Sequence, residues 1–176
     1  MVLNQYNMAS EIRKTIFKIM EHYSRILKPY NKKWKVMEIG IDGDPKPGGN
    51  YKYFGIGNDY KTLDILKRVN PDIVADICDT KLPGKKWDLI IFSQTLEHIF
   101  DFRSAIKECY RLLKTGGFLI IDCPFVHPYH ATGGYDDYWR ISHTAMKKLL
   151  EEVGFEYGKT VSVNDLLTSA MVRKPK

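Results

Sequence analysis

Apolar positions change their period along this chain, and the changes mark out its elements. Residues 11–27 carry Ile12, Ile16, Ile19, Met20, Tyr23, Ile26 and Leu27 at helical spacing. That stripe predicts an N-terminal helix capped by Ser10 and ended at Pro29. A single stripe favours packing on the helix's own domain, with a cover over a ligand crevice or a dimer contact as the other uses open to it. The pattern then shortens to a strand, Lys35-Val-Met-Glu-Ile-Gly40. Between residues 41 and 59 no helical period exists, because Pro45, Pro47 and five glycines interrupt it. Two segments compete to be the second strand, residues 53–57 and residues 60–64. Tyr60–Asp64 is preferred, since it leaves a compact distance to the next short strand, Asp72–Asp76. Trp87–Ser93 is apolar almost throughout, as a central parallel strand should be. Phe102, Ala105, Ile106, Cys109, Leu112 and Leu113 form the next helical face, with Asp101 as its cap and Gly116-Gly117 as its end. Phe118–Asp122 is a second buried strand, stopped by Pro124. A long loop follows to Arg140, then a helix opened by Ser142 and closed by Gly154, and one or two final strands that include Thr168–Arg173.

Strands alternating with helices argue for a parallel sheet covered on both faces, and such sheets bind ligands at the carboxyl ends of their strands. The segments beginning at Gly40, Asp64, Asp76, Ser93 and Asp122 are therefore expected to converge on one crevice. Gly40, lacking a Cβ, allows close backbone approach after Glu38. A carboxylate at Asp64 can accept both hydroxyls of a ribose. Asp76 can accept an aromatic amino group while Ile77 lies against the ring. Taken singly each is a common strand terminus or turn residue; their order and spacing together carry the argument.

Composition narrows the classes. The chain has 176 residues, enough for one sizeable core, and 44% hydrophobic with 27% charged residues is ordinary globular composition. The net charge of +6 is spread as scattered pairs such as Lys32-Lys33 and Lys85-Lys86, which reads as solvated surface and makes a nucleic-acid partner unlikely. Cys78, Cys109 and Cys123 are odd in number and widely spaced, so a disulfide frame or zinc-cysteine site is not expected; no metal ligand set is read. With no secretory pattern and no apolar run of membrane-spanning length, the expectation is a cytoplasmic protein that does not insert into membranes, monomeric or homodimeric.

The motifs VMEIG at 36–40, DIVADICD at 72–79, WDLIIFSQTLEHI at 87–99, RLLKTGGFLII at 111–121 and LLEEVGF at 149–155 resemble class I S-adenosylmethionine-dependent methyltransferases of the methyltransferase type 11 group. The segments PFVHPYH at 124–130 and DDYWRIS at 136–142 look like a subgroup whose loop after the fifth strand carries His and Asp-Tyr-Trp-Arg. The resemblance implies an α/β, Rossmann-like doubly wound fold. Its sheet would be mostly parallel and seven-stranded, with helices on both faces and the first helix after strand 1 shortened or lost. The implied plan is one domain over 1–176: an N-terminal helix in 1–30, a cofactor-binding core in 35–123, an acceptor or lid loop in 124–141, and a C-terminal helix and strands in 142–176. It also implies S-adenosyl-L-methionine as cofactor, S-adenosyl-L-homocysteine as product, and methyl transfer. Glu38, Gly40 and Asp42 would then support the methionine end. Asp64 would bind the ribose, and Asp76 with Ile77 the adenine. Ser93 and Gln94 would line the methionine side, and Glu97-His98 would sit near the reacting centre. The chain departs from the family's glycine loop, with Asp42 and Asp44 at positions where glycine is usual.

Methyl transfer from a sulfonium demands positioning, and a base only where the acceptor is protonated. His98 and His130 are the candidate catalytic residues. His127, Asp137, Trp139 and Arg140 are candidates for acceptor binding, on a loop dense in aromatic and histidine side chains. The plainer readings are that His98 caps or packs at a helix start and that Arg140 forms an ion pair with Asp136 or Asp137. The expected function is methylation of oxygen or nitrogen on a small-molecule or glycan-type acceptor. The alternative is a degenerate, noncatalytic relative retained for binding or assembly, which the altered glycine loop favours.

Overall fold

The computed structural model describes residues 5–30, 33–41, 50–131, 134–163 and 165–176, with side chains left aside for 5–7 and 157–163. Helix α1 (Gln5–Leu27) precedes strand β1 (Lys35–Ile39), the single helical turn α2 (Tyr51–Phe54) and β2 (Asp59–Asp64). Then come β3 (Ile73–Val74), β4 (Trp87–Ser93), α3 (Phe102–Leu112), β5 (Leu113–Pro124), α4 (His143–Val153), β6 (Glu156–Val163) and β7 (Leu167–Arg173). The seven strands form one sheet in the order β3-β2-β1-β4-β5-β7-β6. Pairing is parallel from β3 through β5 and antiparallel at β7 and β6. The chain order reverses between β1 and β4, and a sheet of this kind opens its ligand crevice there.

Strand parity explains why both faces need covering. Val36, Leu89, Ile91 and Ile120 point to one face, where they pack with Met20, Tyr23 and Leu27 of α1 and Phe54 of α2. Their neighbours Met37, Ile39, Ile90, Phe92, Leu119 and Ile121 point to the other, against Ala105, Ile106 and Cys109 of α3 and Met146, Leu149 and Leu150 of α4. The N-terminal stripe thus packs on its own sheet, and Tyr23 adds a 3.1 Å buried hydrogen bond to Ser169 of β7.

Most element expectations hold, and the differences have local causes. Tyr60–Asp64 is inside β2, whereas Tyr51–Phe54 is a helical turn, so the shortened helix after β1 is one turn long among the described residues. Helix α1 begins at Gln5, with Ser10 inside it and exposed. Met8 and Ala9 are good helix formers, and nothing there compels a break. Asp101 caps α3 and Ser142 caps α4, accepting hydrogen bonds from Ser104 N at 3.1 Å and Ala145 N at 3.3 Å. Gly154 closes α4 in the left-handed region. Gly116-Gly117 does not end α3, which stops at Leu112. The glycine pair instead belongs to β5 and brackets Lys174 through two 2.9 Å backbone hydrogen bonds.

Candidate active site

Strands β1 to β3 and the turn after β4 open onto a crevice of about 380 Å³, within the range of small-molecule sites. Of the expected residues, Gly40, Asp64, Asp76, Ile77 and His98 line it. Gly40 ends β1 at φ +72°, and a Cβ there would lie 2.1 Å from Thr95 Oγ1, so only glycine suits the position. Asp64 ends β2 and is 2% exposed. Its carboxylate accepts hydrogen bonds from Ile41 N at 3.0 Å and Leu66 N at 2.8 Å, which fix its plane. The Tyr135 hydroxyl, reaching over from the 124–141 loop, donates to both oxygens at 2.9 and 3.0 Å. Asp76 is exposed on the crevice wall, beside buried Ile77, and its carboxylate caps Cys78 N at 2.8 Å.

Glu38 lies within β1, two residues before Gly40, and is not among the residues lining the crevice. It is buried, with Asn50 Nδ2 and Tyr60 Oη each donating to it at 2.5 Å, and burial pushes its carboxyl above the ordinary range. Ser93 and Gln94 turn away from the crevice toward Asp122 of β5. The Ser93 hydroxyl donates to Asp122 Oδ1 at 3.1 Å and the Gln94 amide at 2.6 Å. Asp122 is 1% exposed, its Oδ2 has no hydrogen-bond partner among the described residues, and burial raises its pKa to about 6. Asp42 lies outside the described residues, as does Asp44.

A second constellation adjoins the crevice at His98. Glu97 and His98 belong to a 3-10 turn, Leu96–His98, just past β4. The backbone carbonyl of Glu97 accepts hydrogen bonds from Tyr138 N at 2.8 Å and Trp139 N at 3.3 Å, which pins the 124–141 loop over this turn. The Trp139 indole N–H donates to Ile99 O at 3.0 Å, and its ring meets Phe102 edge-on at 5.2 Å, so this side chain anchors the loop. Arg140 and Asp137 form an ion pair, with Arg140 Nη1 2.5 Å from Asp137 Oδ1 and Nη2 2.8 Å from Oδ2. That guanidinium holds the Asp137 carboxyl well below the usual carboxylate range. His130 Nδ1 is 3.0 Å from Asp137 Oδ2, and the rings of His98 and His127 flank His130 at 5.0 and 4.4 Å. Burial lowers the His130 pKa. The structure thus brings His98, His127, His130, Asp137 and Arg140 together, with Trp139 holding their frame.

The role of Tyr135 and the isolation of Glu97 escape sequence reading. Tyr135 is one aromatic among several in its loop, and no spacing announces a contact with Asp64, 71 positions earlier. Glu97 is expected near the reacting centre with His98, but nothing in the sequence announces its surroundings. It is 0% exposed, neither carboxylate oxygen has a hydrogen-bond partner among the described residues, and burial raises its pKa to about 8.

The family model described as "Methyltransferase domain" matches residues 46–121. A probable S-adenosylmethionine-dependent methyltransferase of Mycolicibacterium smegmatis is 24% identical over 100 residues, covering 51% of this chain. The chain spans 36% of the length of that curated relative. Among solved structures, a Burkholderia thailandensis 1,6-didemethyltoxoflavin-N1-methyltransferase with bound 1,6-didemethyltoxoflavin and S-adenosylhomocysteine superposes with a TM-score of 0.68 at 14% identity, over 100% of this chain and 92% of that one. Phosphoethanolamine N-methyltransferase 2 of Haemonchus contortus, in complex with S-adenosyl-L-methionine, gives 0.60 at 12% identity, over 83% and 50%. Together with the strand order, these matches show the fold of the class I S-adenosylmethionine-dependent methyltransferases, and residues 46–121 match their methyltransferase domain.

Proposed function

We propose that this chain transfers a methyl group from S-adenosyl-L-methionine to oxygen or nitrogen of a small-molecule or glycan-type acceptor. The observation that carries the reading is the buried carboxylate of Asp64, held by two backbone N–H groups and already accepting a hydroxyl on both oxygens. A ribose diol offers the same donors as Tyr135 does, so the residues present fit the cofactor. Asp64 would take the ribose, Asp76 and Ile77 the adenine, and Gly40 would give the methionine end close backbone approach. Glu38, with Asn50 and Tyr60, supports that end from beneath, and Asp122 with Ser93 and Gln94 supports the other wall.

Charge favours the same reading. Asp64, Asp76 and Asp101 line the crevice of a chain whose net charge is +6. An acidic crevice on a basic protein attracts a cationic ligand and repels a polyanion, which supports a sulfonium cofactor over a nucleic-acid ligand. When bound, the cofactor supplies an activated methyl group whose transfer disperses positive charge. The chain's own part would be to hold the acceptor in line from the 124–141 side, where His98 and His130 are the candidates to receive an acceptor proton when no cation occupies them. His127, Asp137 and Arg140 give that side its polar edge. The crevice and its loop are read as acting inside the cell on a diffusible acceptor; among the described residues no helix is long and apolar enough to cross a membrane.

A second reading, a noncatalytic binding relative, is favoured by one observation: Tyr135 occupies the Asp64 oxygens that the ribose needs. Release of S-adenosylhomocysteine, measured across panels of hydroxylated and amine small molecules and saccharides, separates the two. Turnover with one acceptor class supports the enzyme. Absence of release with every class, while cofactor binding is intact, supports the binding protein.

A further inference from the structure

We propose that Glu97, His98 and His130 form a binding site for a divalent transition cation of the zinc class. The three donor atoms lie within 4.8 Å of one another. His98 Nε2 and His130 Nε2 are each 3.9 Å from Glu97 Oε1. A point equidistant from atoms so spaced lies about 2.3–2.5 Å from each, so a contraction of a few tenths of an ångström reaches zinc–ligand distances of about 2.0–2.2 Å.

The independent observation is Glu97 itself. A carboxyl group with 0% exposure and, among the described residues, no hydrogen bond on either oxygen is a rare and costly arrangement, and it asks for a cation or a proton. The imidazoles answer from their unprotonated sides. His98 Nδ1 lies 2.5 Å from the carbonyl of Asp136, and His130 Nδ1 lies 3.2 Å from the carbonyl of Pro128 and 3.0 Å from Asp137 Oδ2. Carbonyl and carboxylate oxygens only accept, so His98 Nδ1 carries the proton; the two acceptors at His130 Nδ1 lie nearer than Arg140 Nη2 at 3.3 Å and place a proton there as well, which leaves each Nε2 lone pair toward Glu97. Metal-ligating histidines are oriented in this way, by a carbonyl or carboxylate on the far nitrogen.

Arg140 is the neighbouring charge that would oppose a cation. Its donors face Asp137 and the carbonyls of His127, Pro128 and Trp139, with Nη2 also 3.3 Å from His130 Nδ1, and the Asp137 carboxylate balances its charge. Glu97 remains the buried carboxyl that no hydrogen bond satisfies among the described residues, facing the Nε2 atoms of both histidines. Two histidines and one glutamate form the donor set of zinc sites that keep a fourth position open. His98 is the ligand that also lines the crevice, so the open position is one an oxygen donor from the crevice can fill, water or a hydroxyl group. The site needs no cofactor, and its test is independent of methyl transfer.

The test uses the full chain, stripped with a chelator and dialysed. Zinc titrated by calorimetry should bind one ion per chain with sub-micromolar affinity. Cobalt(II) should give the visible absorption bands of a tetrahedral nitrogen–oxygen site. His98→Ala, His130→Ala and Glu97→Gln should each weaken binding by about 100-fold or more. His22→Ala and His143→Ala, on exposed positions of α1 and α4, should bind as the native chain does. The proposal is overturned if the native, folded chain shows no tetrahedral cobalt spectrum. It is also overturned if zinc binding is weak and superstoichiometric, or falls as much in the His22 and His143 variants. Folding of each variant is checked by circular dichroism, and the native-chain cobalt spectrum decides the matter should a ligand variant misfold.

Discussion

Two buried acids stand on either side of the β4 turn, and they live under opposite conditions. Asp64, at the end of β2, has a donor on every side: two backbone N–H groups and a hydroxyl shared between its oxygens. Glu97, in the turn after β4, has none. A satisfied buried carboxylate is a preorganised acceptor, ready to exchange one hydroxyl for another at little cost. An unsatisfied one is a demand for positive charge or a proton. The crevice region is therefore suited to hold a neutral diol in a fixed pose, and the histidine region to gather a cation or move a proton. Asp122 stands between them, with three donors on Oδ1 and nothing on Oδ2.

The sharpest break to this contrast is at the wall both regions share, where Gly40 packs against Thr95. Gly40→Val forces a branched side chain into a left-handed backbone and onto the Thr95 hydroxyl, and should lower unfolding free energy by about 4 kcal/mol in urea titrations. Asp122 tests the intermediate case by pH. Its pKa is about 6 when folded against 3.8 for the free group, so its contribution to stability is full below pH 3.8 and is lost as pH rises through 6. Relative to the native chain, Asp122→Asn should gain on the order of 3 kcal/mol between pH 4 and pH 6, read from unfolding curves at each pH. A flat difference would mean that Asp122 is charged and compensated. The smallest effect is at Tyr135. Tyr135→Phe should cost about 1 kcal/mol of stability yet raise affinity for S-adenosylmethionine by about 3- to 10-fold, since the hydroxyl no longer competes for Asp64. Unchanged or weakened affinity would make Tyr135 a partner of the cofactor and not its stand-in.

How legible each region was follows from how local its cause is. The strand ends could be read because an apolar run stopping on Gly40, Asp64 or Asp76 states its own direction, and a parallel sheet sends all such ends to one edge. The choice of residues 60–64 for β2 rested on chain distance alone, and it holds. The end of α3 was misjudged because a glycine pair usually stops a helix. Here Leu113 already turns into strand, and the glycines serve the pairing with Lys174. In the site, the grouping of His127, His130, Asp137 and Arg140 follows from their density in one loop, as does an Arg140 pairing with an aspartate, whereas His98 is expected there from the family resemblance. Ser93 and Gln94 were expected to face the crevice, whereas their side chains turn to Asp122, and Gln94 does so from a left-handed backbone at φ +50°. Tyr135 on Asp64 and the isolation of Glu97 arise only from folding, since each depends on segments far apart in sequence. Asp42, the sequence's strongest departure from the family pattern, is outside the described residues.

The central claim is that the crevice under Gly40, Asp64, Asp76 and Ile77 holds the cofactor. Calorimetric titration of S-adenosylhomocysteine into the native chain, and into Asp64→Asn, tests it most directly. The account predicts one site per chain with micromolar affinity, weakened about 10-fold or more by the substitution as the diol loses its charged acceptor. A folded native chain that releases no heat with this ligand, and whose melting temperature the ligand leaves unmoved, would contradict it.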